Sequence, residues 1–350
     1  MITIEVKASR AYQVQIGSGI LPGLGQAVRQ VCKGRAAAIV SDSNVFPLYG
    51  QTAALSLEAA GFRVLSFVFP AGEESKNGGT YLRLLNFLAE NQVTRSDCLV
   101  ALGGGVVGDL TGFTAATYLR GVAYVQVPTT LLAAVDSSVG GKTAIDLDAG
   151  KNLAGAFCQP RLVLCDIDTL NTLPQEIFRD GCAEVIKYGV LYDPELFAHL
   201  EQAGPAFHRE RVIGRCVELK RNVVMADEFD TGERMKLNLG HTIGHGVEAQ
   251  SGYQVSHGKA VAMGMCIVAR AAQAQGLCDA HSRDRILAVT EKFALPTKTQ
   301  YDAQALFTSA LSDKKRSGDT LELIVPRAIG CCDMVKTPVS ELKSFIEAGL

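Results

Sequence analysis

Short apolar runs alternate with helical stretches over the first half of the chain. Runs rich in β-branched residues predict strands at residues 2–6, 12–16, 36–40, 63–69, 98–102, 122–127 and 162–165. Several of these runs are apolar almost throughout, which is typical of strands that are buried on both faces of a largely parallel sheet. The pattern therefore predicts an α/β domain with helices between its strands.

The pattern changes near residues 172–176. Beyond this point apolar positions recur at helical spacing and predict helices at residues 174–200, 210–226, 240–249, 258–275, 283–293 and 339–348. A Gly204-Pro205 break indicates a connection between helices, and only residues 321–326 and 332–335 resemble strands there. We expect an α/β domain at residues 1–174 and a mainly helical domain at residues 175–350.

Composition agrees with a two-domain enzyme. The chain has 350 residues, which exceeds the usual length of one domain. Its 47% hydrophobic residues, 20% charged residues and 35 glycines suit an α/β enzyme with tight turns. The net charge is −2 and there is no basic block, so we expect no nucleic-acid partner, whereas anionic small molecules stay open.

The N-terminal sequence indicates a cytoplasmic protein. Two short strand-like runs stand where a secretion signal would have a basic region followed by an apolar core. No apolar run reaches the roughly eighteen residues that a membrane span needs. The ten cysteines are scattered without a C-x-x-C pair, and we expect them to be reduced.

A histidine cluster indicates a bound metal. Three of the six histidines, His241, His245 and His257, fall within seventeen residues. His241 and His245 are four residues apart and share one face of the predicted helix, and neutral imidazoles are usual ligands of catalytic zinc. The alternative is two polar helix residues and a surface histidine, and spacing alone leaves both interpretations open.

A carboxylate ligand must come from elsewhere in the chain. The segment GCAEVIKYG places Glu184 and Lys187 three residues apart, on adjacent positions of a helix face in an otherwise apolar stretch. Few polar neighbours surround this pair, so we expect it to point into a cleft, with Glu184 as the candidate carboxylate ligand. The alternative is an exposed ion pair that contributes little stability.

A glycine-rich segment indicates nucleotide binding. The sequence DCLVALGGGVVGDLTGF has Gly103, Gly105 and Gly108 in the G-x-G-x-x-G spacing, after a predicted strand and at the start of a helix, where a pyrophosphate can bind. The usual ribose-binding acid is missing, because no Asp or Glu occurs between residues 110 and 135. Asp42 could replace it if its strand lies alongside; the alternative is a tight strand-to-helix turn.

Several cations are candidates for binding phosphate. Lys142 and Lys151, nine residues apart and each after a glycine, follow a run of small and hydroxyl residues that resembles a phosphate cradle, although it is no Walker motif. Single lysines of this kind are more often solvated surface charges. The same alternative applies to Lys220, Arg234 and Lys314 taken one at a time.

Taken together, these motifs resemble the 3-dehydroquinate synthase family, over essentially the whole chain. The matching strings are GEESK, ALGGGVVGDLTGF, QVPTTLLAAVDSSVGGKTAID, GKN, AEVIKYG, NLGHTIGH and HGKAVAMGM. The resemblance implies an N-terminal NAD-binding α/β domain, a helical C-terminal domain that binds metal and substrate, one divalent metal (Zn2+ or Co2+) and a homodimer.

The resemblance also assigns roles to individual residues. It implies a metal held by Glu184, His241 and His257, which leaves His245 for the substrate. The positions that it implies for NAD are Asp42, Glu73, Lys76, Gly104, Gly105, Val106, Asp109, Thr129, Thr130, Lys151, Thr169 and Thr172. Those that it implies for substrate and catalysis are Asp136, Lys142, Asn152, Lys187, Lys220, Asp230, Arg234, Asn238, His245 and Lys314, with Arg120 supplied by the partner subunit.

The reaction implied is the conversion of 3-deoxy-D-arabino-heptulosonate 7-phosphate to 3-dehydroquinate and phosphate. It proceeds by transient oxidation with NAD, β-elimination of phosphate, re-reduction, ring opening and an intramolecular aldol step, and we assign no general base. One departure from the family pattern is Phe229 where Arg is frequent, followed by Asp230 where Glu is frequent. Alternatives are another sugar phosphate cyclase, a metal-dependent polyol dehydrogenase, which would release NADH, and a non-catalytic nucleotide-binding protein.

Overall fold

Eleven strands form in the part of the chain that this computed structural model describes, residues 1–310 and 319–350. They are β1 (Ile2–Lys7), β2 (Ala11–Gly17), β3 (Ala36–Asp42), β4 (Arg63–Phe69), β5 (Cys98–Gly103), β6 (Ala123–Pro128), β7 (Lys142–Leu147), β8 (Gly150–Phe157), β9 (Leu162–Asp166), β10 (Thr320–Ala328) and β11 (Cys331–Pro338). Seven form one sheet in the order β1-β2-β9-β6-β5-β3-β4. Only β1 and β2 pair antiparallel in it, so the predicted fold class is confirmed.

The same residues form twelve α-helices. They are α1 (Leu24–Val31), α2 (Gln51–Ala59), α3 (Gly78–Glu90), α4 (Gly105–Thr117), α5 (Gln175–Tyr192), α6 (Pro194–Ala203), α7 (Arg209–Ala226), α8 (His241–Gln250), α9 (His257–Ala274), α10 (Ala280–Lys292), α11 (Ala303–Ala310) and α12 (Val339–Gly349). Among these described helices, none combines the length and the apolar character that a membrane span requires.

The large sheet is buried on both faces, as its apolar strands predict. Successive side chains of a strand point to opposite faces, and in β3 Ile39 joins a buried cluster with Leu24 of α1 and Leu57 of α2. The next residue, Val40, joins a second cluster with Leu110 of α4. Helices therefore cover the sheet from both sides, which explains why its central strands lack polar alternation.

The chain divides into two compact units that differ from the predicted domains at one helix. The first unit contains Met1–Pro174 and Arg209–Phe229, and the second contains Gln175–His208 and Asp230–Leu350. We expected α7 in the helical domain, but it packs with the first unit. Its Lys220 side chain pairs with Asp136 at 2.7 Å, and Glu228, just beyond the helix, accepts a hydrogen bond from Ser9 Oγ at 2.6 Å. These long-range contacts leave no local signal in the sequence.

The long helix predicted at residues 174–200 is in fact two helices. α5 ends at Tyr192, and Asp193 begins α6 by accepting hydrogen bonds from the backbone N–H groups of Glu195 and Leu196, both at 3.0 Å. Pro194 occupies the first turn, where its missing N–H is tolerated. An Asp-Pro start signal inside the apolar pattern marks this break.

Three elements were not predicted, namely α11 and the hairpin of β7 and β8. The hairpin covers the segment that resembled a phosphate cradle, and its register shifts between Ile145 and Leu147. Glycines, alanines and lysines fill the segment, and Asn152 has a φ of +55°. Because neither strand has the regular alternation of a half-buried strand, its pattern did not indicate a sheet.

In the second unit, α9 packs closely against α8. Gly264 of α9 faces the backbone of Gly240, and a Cβ placed on Gly264 would lie 2.0 Å from the Gly240 carbonyl oxygen. Gly240 has a φ of +78°, a left-handed conformation that favours glycine. Only a residue without a side chain permits this approach, which places the start of α8 against the middle of α9.

We predict that Gly264→Ala destabilises the second unit by roughly 1–3 kcal/mol or more, because the added methyl group meets backbone atoms rather than a movable side chain. The measurement is the midpoint of urea-induced unfolding, followed by circular dichroism. Gly78→Ala is the matched control, since a Cβ at this helical position meets no heavy atom within 4 Å. The control should be neutral or slightly stabilising, and equal effects of the two substitutions would contradict the prediction.

Candidate active site

The carboxyl ends of β3, β5 and β6 lie side by side in the first unit. The chain proceeds from β3 to β4 on one side and then to β5 and β6 on the other, so the strand order reverses between β3 and β5. Ligands of open α/β sheets bind at the carboxyl ends of the strands at such a point. Asp42 ends β3, and β3 pairs directly with β5, the strand before the glycine-rich segment. The predicted role of Asp42 in ribose binding requires this pairing. The role itself stays a prediction.

A glycine turn connects β5 to α4 at this edge. β5 ends at Gly103 and α4 begins at Gly105, with Gly104 between them in an extended conformation. A Cβ on Gly104 would approach Thr130 Cγ2 to 3.0 Å, and one on Gly108 would approach Gln126 Oε1 to 2.5 Å. Because Gly104 has no side chain to cap α4, the positive end of the helix dipole is open to a phosphate. The geometry fits a dinucleotide pyrophosphate.

Lys76 connects several predicted residues of the first unit. Its Nζ lies 2.6 Å from Asp109 Oδ2 and 3.7 Å from Glu73 Oε1, and it donates a hydrogen bond to Asn152 Oδ1 at 2.6 Å. Burial raises the pKa of Asp109, although the Lys76 ammonium acts in the opposite direction. The structure thus brings together three residues predicted for NAD and one predicted for substrate.

Most of the remaining NAD candidates lie at turns and in the hairpin of the first unit, whereas Val106 is the second residue of α4. Thr169 and Thr172 follow β9, where Tyr49 donates a hydrogen bond to the Thr169 carbonyl oxygen at 3.1 Å and lies 2.6 Å from Thr172 Oγ1. Thr129 directly follows β6, and Lys151 is in β8. Tyr49 was not predicted, because no motif surrounds it.

Three further predicted residues of the first unit differ in exposure. Lys220 is buried, and its Nζ donates to the backbone oxygen of Asp136 at 2.5 Å and to its Oδ1 at 2.7 Å. Lys142 is exposed at the first residue of β7. Arg120 is exposed in a turn after α4, with a φ of +65°. The alternative of a solvated surface charge is therefore wrong for Lys220.

Three helices of the second unit bring together Glu184, His241 and His257. Glu184 lies in α5, and the histidines are the first residues of α8 and α9. Glu184 Oε1 lies 3.5 Å from His241 Nε2 and 3.4 Å from His257 Nε2, and the three candidate ligand atoms are all within 4.8 Å of one another. Two imidazoles and a carboxylate are a usual donor set for catalytic zinc. These residues fit a divalent metal ion.

The predicted pair of Glu184 and Lys187 is buried. The Lys187 ammonium contacts Glu184 Oε2, and the two side chains are 1% and 0% exposed, respectively. The alternative of an exposed ion pair is therefore wrong. A buried carboxylate is costly unless cations or hydrogen bonds compensate it, and Lys187 supplies one such charge.

The start of α9 is fixed to α5 one turn before Glu184. Asp180 Oδ1 accepts hydrogen bonds from Ser256 Oγ at 2.5 Å and from the Lys259 backbone N–H at 3.0 Å. Gly258 faces Asp180 so closely that a Cβ would lie 2.0 Å from the Asp180 carbonyl oxygen. These contacts hold His257 near Glu184. Asp180 was not predicted, although it lies four residues before Glu184 and so on the same helix face.

Both histidines of the group direct one ring nitrogen to Glu184 and the other to a different acceptor. His241 Nδ1 lies 3.1 Å from the Leu239 carbonyl oxygen. Burial opposes the charged form of His257, but the carboxylates of Glu184 and Glu248 outweigh burial and raise the pKa of His257 to about 10. Glu248, which lies three residues after His245 in α8, was not predicted either.

The other predicted residues of the second unit lie in different environments. Arg234 is buried, Asp230 has a φ of +61°, and Asn238 Nδ2 donates to the Met235 carbonyl oxygen at 2.9 Å. His245 is exposed, and its ring lies 5.5 Å from that of His241 between centroids. Lys314 lies outside the described residues.

Comparison with known proteins identifies the family. Family models described as 3-dehydroquinate synthase N-terminal and C-terminal match residues 66–180 and 181–316, respectively. A Streptococcus suis 3-dehydroquinate synthase is 44% identical over 343 residues, which cover 96% of this chain and 97% of that protein. The chain belongs to the 3-dehydroquinate synthase family. The resemblance inferred from the sequence motifs is confirmed.

Solved structures of two other cyclases share the fold. A 2-deoxy-scyllo-inosose synthase, complexed with carbaglucose-6-phosphate, NAD+ and Co2+, has a TM-score of 0.90 at 25% identity, with all of both chains covered. A 2-epi-5-epi-valiolone synthase from Streptomyces hygroscopicus, with NAD+ and Zn2+ bound, has a TM-score of 0.88 at 26% identity over 98% of each chain. The predicted cofactors, NAD and one divalent metal, agree with what these two proteins bind.

The family pattern is changed at Phe229. This side chain is 57% exposed and packs edge-on against Phe157, with ring centroids 5.3 Å apart. It is the last residue of the first unit, and the positive φ of Asp230 follows it directly. An aromatic contact within the first unit thus occupies the position where the resemblance leads us to expect Arg.

We predict that metal binding releases a proton from His257. A pKa of about 10 keeps this side chain protonated in metal-free protein at about pH 8, whereas a metal needs the lone pair of a neutral imidazole. Apparent Zn2+ affinity should therefore rise with pH and level off above a pH of about 10. Calorimetry in two buffers of different ionisation enthalpy measures the protons released.

About one proton per ion is expected near pH 8. Glu341→Ala is the control, because this exposed side chain is outside both groups of candidate metal ligands among the described residues. It should release the same number of protons as the unchanged protein. Zn2+ binding without proton release at this pH would contradict the predicted charge of His257.

Proposed function

We propose that the chain catalyses the 3-dehydroquinate synthase reaction, the conversion of 3-deoxy-D-arabino-heptulosonate 7-phosphate to 3-dehydroquinate and phosphate. The main support for the proposal is the difference between the sequence identities of this chain to two kinds of cyclase. The chain is 44% identical to a 3-dehydroquinate synthase over nearly its full length, but only 25% identical to a 2-deoxy-scyllo-inosose synthase. The higher identity to the 3-dehydroquinate synthase therefore supports the heptulosonate phosphate as the substrate.

Each unit would hold one cofactor. When bound, NAD supplies a reversible hydride acceptor and the divalent metal supplies a Lewis acid. In the first unit, the glycine turn before α4 and the adjacent Thr130 would bind the NAD pyrophosphate. In the second unit, Glu184, His241 and His257 would hold the metal, and Lys187 would keep the Glu184 carboxylate in place.

The substrate carries a phosphate and a carboxylate, so cations should orient both ends. In the first unit, Lys142 is exposed at the start of β7. In the second unit, Arg234 offers a planar guanidinium that can bind a carboxylate or a phosphate in a bidentate manner. Lys220 and Lys187 already pair with Asp136 and Glu184, respectively, so their charges are fixed in position.

The proposal includes a homodimer and a cytoplasmic location. The resemblance assigns Arg120 to the site of a partner subunit. Its side chain is exposed in the turn between α4 and β6, and this exposure supports such a role. The scattered cysteines, which we expect to be reduced, support the cytoplasmic location.

The purified protein with NAD and Zn2+ or Co2+ should release inorganic phosphate from 3-deoxy-D-arabino-heptulosonate 7-phosphate without accumulating NADH. Both products are followed in one assay, phosphate by a colorimetric reaction and NADH by absorbance. His257→Ala should lose phosphate release, because it removes a predicted metal ligand. Stoichiometric NADH would instead indicate a polyol dehydrogenase, and turnover of glucose 6-phosphate or sedoheptulose 7-phosphate in its place would indicate another cyclase.

A further inference from the structure

Glu248 lies beside the predicted metal ligands but has no role among the residues discussed so far. It is on α8 and is 3% exposed, which is unusual for a glutamate. Its Oε2 lies 3.5 Å from His257 Nδ1. A buried carboxylate at this distance from an imidazole indicates an interaction that compensates the cost of burying its charge.

The two ring nitrogens of His257 face two different carboxylates. Nε2 lies 3.4 Å from Glu184 Oε1, a predicted ligand atom, whereas Nδ1 lies on the side of Glu248. An imidazole that binds a metal through one nitrogen carries its proton on the other, which then needs an acceptor. His241 shows the same arrangement, with Nε2 near Glu184 and Nδ1 at the Leu239 carbonyl oxygen.

We propose that Glu248 is a positioning residue for the metal site. It accepts a hydrogen bond from His257 Nδ1–H, which selects the tautomer whose Nε2 lone pair faces the metal and fixes the orientation of the ring. A carboxylate in this position also makes the imidazole a stronger ligand. This inference rests on the proposed metal site and adds a residue that does not itself touch the metal.

A second metal site would be a different use of the same residues. The candidate ligand atoms of His245, Glu248 and His257 are also within 4.8 Å of one another. Two ions at once would require both nitrogens of His257 to lose their protons, and the imidazolate that results forms far less readily than a neutral imidazole. The geometry therefore favours one ion, with Glu248 as a hydrogen-bond acceptor.

The test measures Zn2+ affinity by competition with a chromophoric chelator, together with the number of ions bound per chain. Glu248→Ala should weaken binding by about 10- to 100-fold, the usual effect of removing such a partner. Glu248→Gln should weaken it less, because an amide oxygen still accepts the hydrogen bond but carries no charge. The exposed Glu341→Ala is the control and should bind Zn2+ as the unchanged protein does.

Each outcome supports or overturns the proposal. One ion per chain in every variant, with the affinity falling in the order wild type, Gln and Ala, supports it. Wild-type affinity in Glu248→Ala would overturn it, and so would two ions in the wild type with one lost in this variant. If Glu248→Ala does not fold, Glu248→Gln decides, since unchanged affinity there also overturns the role.

A spectroscopic measurement separates positioning from a general loss of stability. In the Co2+-loaded protein, the Nδ1–H protons of the ligating histidines give hyperfine-shifted, exchangeable proton resonances. Glu248→Gln should change the exchange rate of the His257 proton and leave that of the His241 proton, which faces the Leu239 carbonyl oxygen, unchanged, whereas a general loss of stability would alter both. Failure of the wild type to bind any metal would refute the metal site itself. A Glu248 variant that binds metal as tightly as the wild type would refute only the role of Glu248.

Discussion

The close approach of α9 to α5 and α8 is the constraint on which the proposed metal site depends. Gly258 packs against the backbone of Asp180, and Gly264 packs against that of Gly240, at distances that any side chain would increase. Glu184, His241 and His257 are therefore placed by backbone contacts rather than by their own flexible side chains. A metal site needs such rigidity because ligands must be held to within about 0.5 Å.

Both units contain buried charged side chains, and in each unit nearby groups of opposite charge compensate them. In the second unit, Lys187 and the two histidines surround the fully buried Glu184. In the first unit, Lys76 is buried against Asp109 and bonds to Asn152. Removing one partner of such a pair leaves an uncompensated charge, which costs more than the pair itself contributes. These pairs thus orient the residues that are predicted to bind NAD, metal and substrate.

The sequence predicted the elements whose signals are local. Apolar strands such as β3 and β5, the glycine turn at Gly104 and the helices that begin at His241 and His257 were all found from composition and spacing. The hairpin of β7 and β8 was not, because its small and polar residues lack a strand pattern. The placement of α7 was wrong because Lys220 finds Asp136 through a contact between distant parts of the chain.

The residues of the metal site also come together through contacts between distant parts of the chain, which the sequence pattern does not show. The spacing of His241 and His245 suggested a chelating pair on one helix, whereas the structure places His241 with His257, from the start of the next helix, and with Glu184 from a third. Only the family resemblance indicated this set. Glu248 and Asp180 were missed because a hydrogen bond to a ligand, or to the start of its helix, has no motif of its own.

The most direct test of the account is anomalous X-ray diffraction from crystals of the protein grown with Zn2+, with data collected on both sides of the zinc absorption edge. We expect one anomalous peak per chain, within about 2.0–2.2 Å of a Glu184 carboxylate oxygen and of Nε2 of both His241 and His257. A peak held by His241 and His245, with His257 outside ligand distance, would contradict it.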